Sequence, residues 1–217
     1  MAHLERFELN GRVAAVTGAG RGLGRVMALD IVRSGGRVAI GSRTVSELEK
    51  LKAEIESMGG ECHVCELDVT SVDSIQRFVD STVTHYGRLD VMVNNAGFGR
   101  VGPILDCDED LYDAILDTNL KSVFFGSKIA AQQMIQQGGG GCIINISSQA
   151  GVVAAPGRGA YSGAKAGVNN FTRTAAAEWA PHQIRVNVIA PTVTRSPMAE
   201  QAVKDSEEFA QMVRDKI

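Results

Sequence analysis

The stretch Val13-Ala-Ala-Val-Thr-Gly-Ala-Gly-Arg-Gly-Leu-Gly24 decides how this chain is expected to fold. Its first five residues form an apolar run that predicts a buried strand, and a helical pattern over Leu23–Ser34 follows. A glycine-rich turn between a strand and a helix brings backbone close to a pyrophosphate at the positive helix N-terminus. The spacing Gly18-x-x-x-Gly22-x-Gly24 differs from the common G-x-G-x-x-G. A purely structural turn is therefore the alternative to a dinucleotide site.

The rest of the chain continues this alternation of strand-like and helical patterns, without a linker or a repeat. The strand candidates are Val13–Thr17, Arg37–Gly41, Glu61–Leu67, Asp90–Asn94, Cys142–Ser147 and Arg185–Ala190. The helical patterns are Leu23–Ser34, Ser46–Met58, Ser71–Tyr86, Glu109–Gln137, Tyr161–Trp179 and Pro197–Ile217. Alternating strands and helices predict a parallel sheet with helices on both faces. With right-handed crossovers this becomes a doubly wound α/β (Rossmann) fold, formed by residues 1–217 as one domain.

The composition indicates a soluble globular protein and excludes several functional classes. Hydrophobic residues make up 44% and charged residues 22% of the 217 residues. A net charge of −3 gives no electrostatic reason to expect a nucleic acid or an anionic membrane as partner. The charged start Met1–Glu8 lacks the apolar core of a signal peptide, and no apolar run reaches transmembrane length. We therefore expect a cytoplasmic protein.

The cysteines and histidines do not form a recognisable metal site. Cys62-His-Val-Cys65 has the C-x-x-C form, but residues three apart on a strand face opposite sides of the sheet. No second cysteine pair completes a zinc site, and the four histidines are scattered. We expect no metal, and reduced structural thiols in a reducing compartment at Cys62, Cys65, Cys107 and Cys142.

Polar residues follow the predicted strands at the edge where doubly wound folds bind ligands. Asp68-Val69 comes after the third strand and Asn94-Asn-Ala-Gly97 ends the fourth. Ser147 and Ser148 end the fifth. Turn chemistry alone is the alternative explanation for the first two groups.

The second strand is followed by Ser42-Arg43, where a dinucleotide fingerprint usually places an acid. An acid would hold a ribose 2′-hydroxyl and repel a 2′-phosphate, whereas Arg43 attracts the phosphate. Arg21, inside the glycine turn, is placed to help. The residues thus favour NADP over NAD, with a surface arginine at the start of the next helix as the alternative.

Tyr161 and Lys165 form the most informative pair in the second half of the chain. Residues four apart share one helix face, with Cβ atoms roughly 5–6 Å apart. A phenol titrates near ~10, and a fixed ammonium beside it should lower that pKa towards neutral pH. Ser148 lies 13 residues before Tyr161, which is enough chain to loop back and face it. Asn119 falls in a helical pattern, where a solvent-facing or capping role is the alternative to a functional one.

Together these motifs resemble the short-chain dehydrogenase/reductase family. The order T-G-x-x-x-G-x-G, N-N-A-G, a helical Asn, Ser and Y-x-x-x-K matches from Gly11 to about Met198. The resemblance implies that Tyr161 is the general acid/base, that Lys165 lowers its pKa and binds the nicotinamide ribose, and that Ser148, rather than Ser147, contacts the reacting oxygen. Asn119 would hold a proton-relaying water. The implied cofactor contacts are phosphates at Gly18, Arg21, Gly22, Leu23 and Gly24, adenine at Asp68-Val69, and ribose at Asn95-Ala96-Gly97.

The resemblance also implies an activity and an assembly. We expect NADP-dependent reduction of ketones, or oxidation of secondary alcohols, by a homodimer or homotetramer. The alternatives are a reductase of 3-oxoacyl groups on an acyl carrier protein and, more remotely, a nucleotide-sensing protein without turnover. Docking an acidic carrier needs a basic patch near the site entrance. Neither Met134–Gly141 nor Ala180–Gln183 supplies one, which favours a small free ketone or a sugar-like hydroxyketone as substrate.

Two features depart from the family pattern. The family usually has Pro-Gly after the sixth strand, where this chain has Pro191-Thr192, so the placement of Thr194 and Ser196 near the cofactor carboxamide is less secure. Family members also continue through a further helix and a seventh strand, which this sequence lacks. We therefore expect an open edge at the sixth strand and a tail missing from the sequence.

Overall fold

A computed structural model of the chain describes residues 7–194, 196, 199–200, 203–204 and 207–216. Six parallel strands form one sheet in the order β3-β2-β1-β4-β5-β6. The strands are β1 (Val13–Thr17), β2 (Arg37–Ser42), β3 (Cys62–Glu66), β4 (Val91–Asn94), β5 (Gly141–Ile146) and β6 (Ile184–Ile189). The order reverses between β1 and β4, as in dinucleotide-binding sheets. The predicted doubly wound fold is confirmed.

Helices lie between and after the strands, and most of them pack on the faces of this sheet. They are α1 (Gly22–Arg33), α2 (Val45–Ser57), α3 (Val72–Tyr86), α4 (Glu109–Leu116), α5 (Ser122–Gln137), α6 (Gly159–Trp179) and α7 (Glu207–Lys216). Most begin or end within two residues of the predicted bounds. Of the predicted last helix Pro197–Ile217, the structure describes α7 as a helix, while Pro197 and Met198 lie outside the described residues. None of the described helices combines the length and apolar character needed to cross a membrane.

The chain is helical over the whole predicted range Glu109–Gln137, but it does not form one regular α-helix. A π-helical turn at Asp117–Lys121 separates α4 from α5. The side chain of Asn119 donates a hydrogen bond of 2.9 Å to the carbonyl of Ile115, the group that its own backbone N–H would use in a regular α-helix. Such turns are frequent at functional sites, and this one holds a predicted site residue.

The core lies in two layers, one on each face of the sheet. β1, in the middle of the sheet, is buried along its whole length. Phe78, Met92 and Ile143 contribute to one layer, and Ile40 and Leu48 to the other. Burial on both faces explains why the strands read as continuous apolar runs.

The cysteine pair follows the alternation expected of a strand. Cys62 packs into one layer of the core, and Cys65 packs against the other. All four thiols are free, and burial raises the pKa of Cys62 to about 12. Within the described residues no cluster of His, Cys, Asp and Glu could hold a metal ion.

The sixth strand forms one edge of the sheet. Helix α6 packs against β6, while Arg185, Asn187 and Ile189 of the strand are exposed. The outer edge of β6 has no further strand beside it in the described part of the chain.

Candidate functional site

The turns after β1 and β4 are joined at the point where the strand order reverses. Thr17 Oγ1 accepts hydrogen bonds of 3.0 Å from the backbone N–H groups of Asn95 and Ala96. In return, Asn95 Nδ2 donates to the carbonyls of Thr17 (2.9 Å) and Gly18 (3.2 Å). The glycine turn and the Asn95–Gly97 segment are therefore held side by side at the carboxyl edge of the sheet.

Gly18 and Gly24 are required because neighbouring backbone atoms approach them closely. Gly18 has φ +66°, and a Cβ there would lie 2.9 Å from Ala96 Cα. A Cβ on Gly24 would lie 2.4 Å from the carbonyl oxygen of Gly18. Only residues without a Cβ fit at both positions, so the turn can press closely against both its neighbour and α1.

The N-terminus of α1 suits an anion. Its N-cap residue is Arg21, which makes no side-chain cap hydrogen bond, and the first turn contains no acid. The amides of Gly22, Leu23 and Gly24 stand at the positive end of the helix dipole. With exposed Arg21 beside them, these residues fit a pyrophosphate.

Asp68 and Val69 come after β3, while Ser42 ends β2 and Arg43 follows it. The Asp68 carboxylate accepts hydrogen bonds from the backbone N–H (3.0 Å) and the hydroxyl (2.8 Å) of Thr70. The backbone bond is the largest cause of a lowered Asp68 pKa; burial opposes it, and Arg43 adds to it. Arg43 is exposed and lies near enough to Asp68 to act on its pKa, so the residues after β2 and after β3 are neighbours at this edge of the sheet.

Glu47 is a site residue that the sequence analysis missed. A Cβ on Gly20 would lie 2.7 Å from Glu47 Oε2 and 3.4 Å from Ser42 Oγ. The first turn of α2 thus places a carboxylate against the glycine turn and the end of β2. The sequence signal is weak, because Glu47 resembles any acid in the first turn of a helix. Its negative charge opposes the attraction that Arg21 and Arg43 offer to a 2′-phosphate.

The two serines after β5 have different partners. The Ser148 hydroxyl lies near enough to the Tyr161 phenol to lower its pKa, and it accepts a hydrogen bond of 3.2 Å from the N–H of Ala150. Ser147 is buried and donates a bond of 3.1 Å to the carbonyl of Lys165. Ser148 therefore faces the tyrosine, whereas Ser147 fixes helix α6 to the end of the strand.

Tyr161 and Lys165 share one face of α6, as their spacing predicts, but the ammonium hydrogen-bonds a backbone carbonyl and makes no hydrogen bond to the phenol oxygen. Lys165 is only 3% exposed, and Nζ donates 2.8 Å to the carbonyl of Ile146. Nζ lies 5.7 Å from the centre of the Tyr161 ring. Burial lowers the pKa of Lys165 to about 8.

The predicted lowering of the tyrosine pKa is wrong for this structure. Burial raises the pKa of Tyr161, and this effect exceeds the lowering by the hydrogen bond to Ser148 and by the charge of Arg158. The phenol is 8% exposed, so desolvation of its anion is the larger effect. Sequence reasoning missed Arg158, the cation that acts on Tyr161, because it lies in the loop before the helix.

Asn119 is fully buried, which excludes the solvent-facing alternative. Its Nδ2 donates to the carbonyls of Phe98 (2.7 Å) and Ile115 (2.9 Å). Its Oδ1 has no hydrogen-bond partner in the described part of the chain. A Cβ on Gly97 would lie 2.8 Å from this oxygen and 3.6 Å from Lys165 Nζ. An acceptor and a cation therefore converge beside Gly97, in an arrangement that fits a water or a ligand hydroxyl.

A buried polar network beneath this cluster was also missed. Asn145 Oδ1 accepts from Asn94 Nδ2 (2.8 Å) and from Ser127 Oγ (3.2 Å), and Asn145 Nδ2 donates to Thr172 Oγ1 (2.9 Å). The network joins β4, β5, α5 and α6. Its sequence signal is an asparagine inside the apolar run Cys142–Ile146.

Comparison with known proteins assigns the family. The family model for short chain dehydrogenases matches residues 12–207. The chain belongs to the short-chain dehydrogenase family. This confirms the resemblance given by the motifs, and it makes the protein an oxidoreductase of a family that uses nicotinamide cofactors.

Individual relatives are similar over most of their length. The 3-oxoacyl-[acyl-carrier-protein] reductase FabG of Thermotoga maritima is 37% identical over 94% of this chain and 82% of its own. The 2-dehydro-3-deoxy-D-gluconate 5-dehydrogenase of Escherichia coli is 36% identical over 97% of this chain and 82% of its own length. The crystal structure of a short-chain type dehydrogenase/reductase from Mycobacterium marinum superposes with a TM-score of 0.89 at 34% identity. The superposition covers 91% of this chain and 79% of that protein.

The segment after β6 runs beside the two serines of this short-chain dehydrogenase. Ser147 N–H donates 2.7 Å to the carbonyl of Ile189, and Gln149 N–H donates 2.8 Å to that of Pro191. Thr194 Oγ1 donates to the Thr192 carbonyl (3.2 Å), and Ser196 Oγ accepts from the Ala199 N–H (3.2 Å). Contact of Thr194 and Ser196 with a carboxamide stays a prediction.

The structure corrects the argument about a carrier-docking patch. Met134–Gly141 and Ala180–Gln183 meet at the start of β5 and β6, where Gly141 N–H donates 3.3 Å to the carbonyl of Gln183. This is the amino edge of the sheet, opposite Tyr161. Within one chain these segments do not line the site, so their lack of basic residues says nothing about its substrate.

Proposed function

We propose that this short-chain dehydrogenase transfers a hydride between NADP(H) and a ketone or secondary alcohol, with Tyr161 as the general acid/base. The observation that carries the proposal is the placement of the Ser148 hydroxyl near enough to the Tyr161 phenol to act on its pKa, with the buried Lys165 ammonium 5.7 Å from the centre of the same ring. A carbonyl oxygen seated between the two hydroxyls would accept a hydrogen bond from each. This polarises the carbonyl and supplies a proton in the same place.

The proton would move through groups of this chain. The Tyr161 hydroxyl carries the proton that would pass to the oxygen during reduction. Ser148 orients the oxygen, while a water held by Asn119 Oδ1 and Lys165 could return a proton from solvent. A bound nicotinamide supplies the hydride.

Cofactor choice is proposed from exposed charges. Arg43 and Arg21 favour the 2′-phosphate of NADP, while Glu47 opposes it. All three are partly or fully exposed, so we expect a preference for NADPH that is real but modest and sensitive to salt.

For the substrate we propose a small free ketone or hydroxyketone, and the second candidate is a carrier-bound 3-oxoacyl group. The relatives do not separate them, since a carrier-protein reductase and a gluconate-type dehydrogenase are 37% and 36% identical to this chain. A sensing protein without turnover would not need the arrangement of Ser148, Tyr161 and Lys165.

The assembly and setting are proposed on separate observations. Tyr112 on α4 and Phe124 on α5 are 50% and 44% exposed, which suits a homodimer or homotetramer formed through these helices. The four free thiols fit the reducing cytoplasm.

The test is oxidation of NADPH and NADH with a panel of ketones, hydroxyketones, a 3-oxoacyl thioester and a carrier-bound 3-oxoacyl group. We expect turnover of free ketones, faster with NADPH. A sample that binds NADPH but turns over no ketone would contradict the proposed enzyme. Much faster turnover of the carrier-bound substrate would support the second candidate.

A further inference from the structure

Arg158 lies beside the proposed acid/base without belonging to the family motif. It is the N-cap residue of α6, three positions before Tyr161, and it is half-buried. Its guanidinium carbon lies 5.9 Å from the centre of the Tyr161 ring. Burial lowers the pKa of Arg158 and raises the pKa of Tyr161, and each group partly opposes this effect on the other.

The backbone on both sides of Arg158 is fixed. Its N–H donates 3.2 Å to the Ala155 carbonyl, and its carbonyl accepts 2.7 Å from Ser162 N–H. The preceding Gly157 has φ +72° and accepts 2.9 Å from the N–H of Gly102. A cation with an anchored backbone is a better directional ligand than one on a loose loop, because less conformational entropy is lost on binding.

A second arginine, Arg100, lies on a loop that contacts both Tyr161 and the residue before Arg158. Gly99 packs on the Tyr161 ring, since a Cβ there would lie 3.0 Å from Cδ2, and Val101 packs near Gly157. Arg100, exposed, lies between these two contacts. Apolar side chains occur in the neighbouring segments: Ile104 packs on Gly159, and Val152 and Val153, which lie between Ser148 and Tyr161 in the sequence, are exposed.

We propose that Arg158 is a specificity-determining residue that binds the carboxylate of a short oxo acid, or of the matching hydroxy acid, whose reacting oxygen lies at Tyr161 and Ser148. This rests on the proposed hydride transfer and names the substrate class for it. Guanidinium binds carboxylate through two parallel N–H···O bonds, and partial burial strengthens such bonds relative to solvent. Arg100, on the loop that contacts Tyr161, adds long-range attraction for an anion that approaches this residue.

The experiment compares each acid with its neutral ester, so that only the charge of the substrate changes. The probes are 4-oxopentanoate, 5-oxohexanoate and their methyl esters, with kcat/KM measured at fixed salt in wild type, Arg158→Gln and Arg158→Lys. We expect wild type to prefer the acids by about tenfold or more. Arg158→Gln should lower the acid-to-ester ratio by about ten- to a hundredfold, mainly through KM, and Arg158→Lys should restore part of it.

The matched control is Arg173→Gln. Arg173 is exposed on the same helix, fifteen residues on, or about 22 Å along the axis at the rise of an α-helix. The change in net charge is identical, so an unchanged ratio in this variant assigns the effect to the site. NADPH binding and circular dichroism verify that each variant is folded, and Arg158→Lys serves as the test if Arg158→Gln does not fold.

The outcomes separate this inference from the proposed function. Equal loss of acid and ester turnover, with a shifted pH profile for both, would mean that Arg158 only tunes Tyr161 and would overturn the inference. So would a wild type that prefers the esters, or that turns over a 3-oxoacyl thioester better than every oxo acid. A wild type with no ketone reduction at all would instead overturn the proposed hydride transfer, and this inference with it.

Discussion

The two sides of the carboxyl edge are built from similar polar residues in very different environments. Around β5 and α6, Asn119, Tyr161 and Lys165 are 0%, 8% and 3% exposed, and the side chains of Asn119 and Lys165 are fixed by hydrogen bonds to backbone carbonyls. Around β1 and β2, Arg21 and Arg43 are exposed.

The difference indicates what each side can do. Buried groups act in a low dielectric with fixed geometry, so their pKa values shift strongly, and removal of one should have a large effect. Exposed charges are screened by water and salt and can only bias a choice between similar ligands. The catalytic side should therefore govern whether the reaction occurs, and the nucleotide side should govern which cofactor is preferred.

The largest effect is expected for Tyr161→Phe. Loss of the transferable proton should lower kcat by about 10²–10⁴, while the affinity for NADPH stays close to that of wild type. Steady-state kinetics and NADPH titration measure the two quantities. Tyr112→Phe, at an exposed position on α4, is the control. Near-normal turnover in Tyr161→Phe would contradict the expectation that the buried side around β5 and α6 governs whether the reaction occurs.

Asn145→Ala tests whether the buried network supports the catalytic side. It leaves Asn94, Ser127 and Thr172 without their shared partner, and an unsatisfied buried polar group costs about 1–3 kcal/mol. Urea denaturation should show a loss of free energy of unfolding in this range. Asn170→Ala, at an exposed position on α6, should change it by less than about 0.5 kcal/mol. Equal values for the two variants would argue against the network.

On the exposed side, Arg43→Asp should lower the ratio of kcat/KM for NADPH to that for NADH. A charge-assisted hydrogen bond to phosphate changes affinity by about ten- to a hundredfold. Because Arg43 is exposed, we expect the ratio to fall by an amount near the lower end of this range. The ratio is measured at low and high salt, with Arg77→Asp on α3 as an equal change of charge elsewhere. A wild type that prefers NADH, or a ratio that Arg43→Asp leaves unchanged, would make Arg43 a simple surface residue.

The smallest effect is expected for Glu47→Gln, which removes the opposing charge. The NADPH-to-NADH ratio should rise, by less than about fivefold, as is usual for an exposed charge interaction. The same kinetic assay measures it, with exposed Glu49→Gln as control. A fall in the ratio would mean that Glu47 does not oppose the 2′-phosphate.

Local patterns were enough for the fold and for the members of the site that belong to motifs. Strand and helix periodicity predicted all six strands, because strands buried on both faces read as apolar runs. Gly18 and Gly24 were recognisable from their spacing between a strand and a helix. The structure gives the reason for that spacing, because neither position admits a Cβ. The π-helical turn at Asp117–Lys121 was not predictable, since the helical pattern continues through it; in the structure the side-chain bond from Asn119 to the Ile115 carbonyl accompanies it.

The sequence alone determined the family, the sheet, and the pairing of Tyr161 with Lys165 on one helix face, since each follows from residue type and spacing. Only the tertiary structure decided how these groups behave. Burial outweighs the nearby cations and raises the pKa of Tyr161, and folding brings Arg158 to its ring. It also places Glu47 on the glycine turn and Asn145 at the centre of a polar network. Desolvation and contacts between distant segments depend on how the chain packs, and spacing along the chain does not record them.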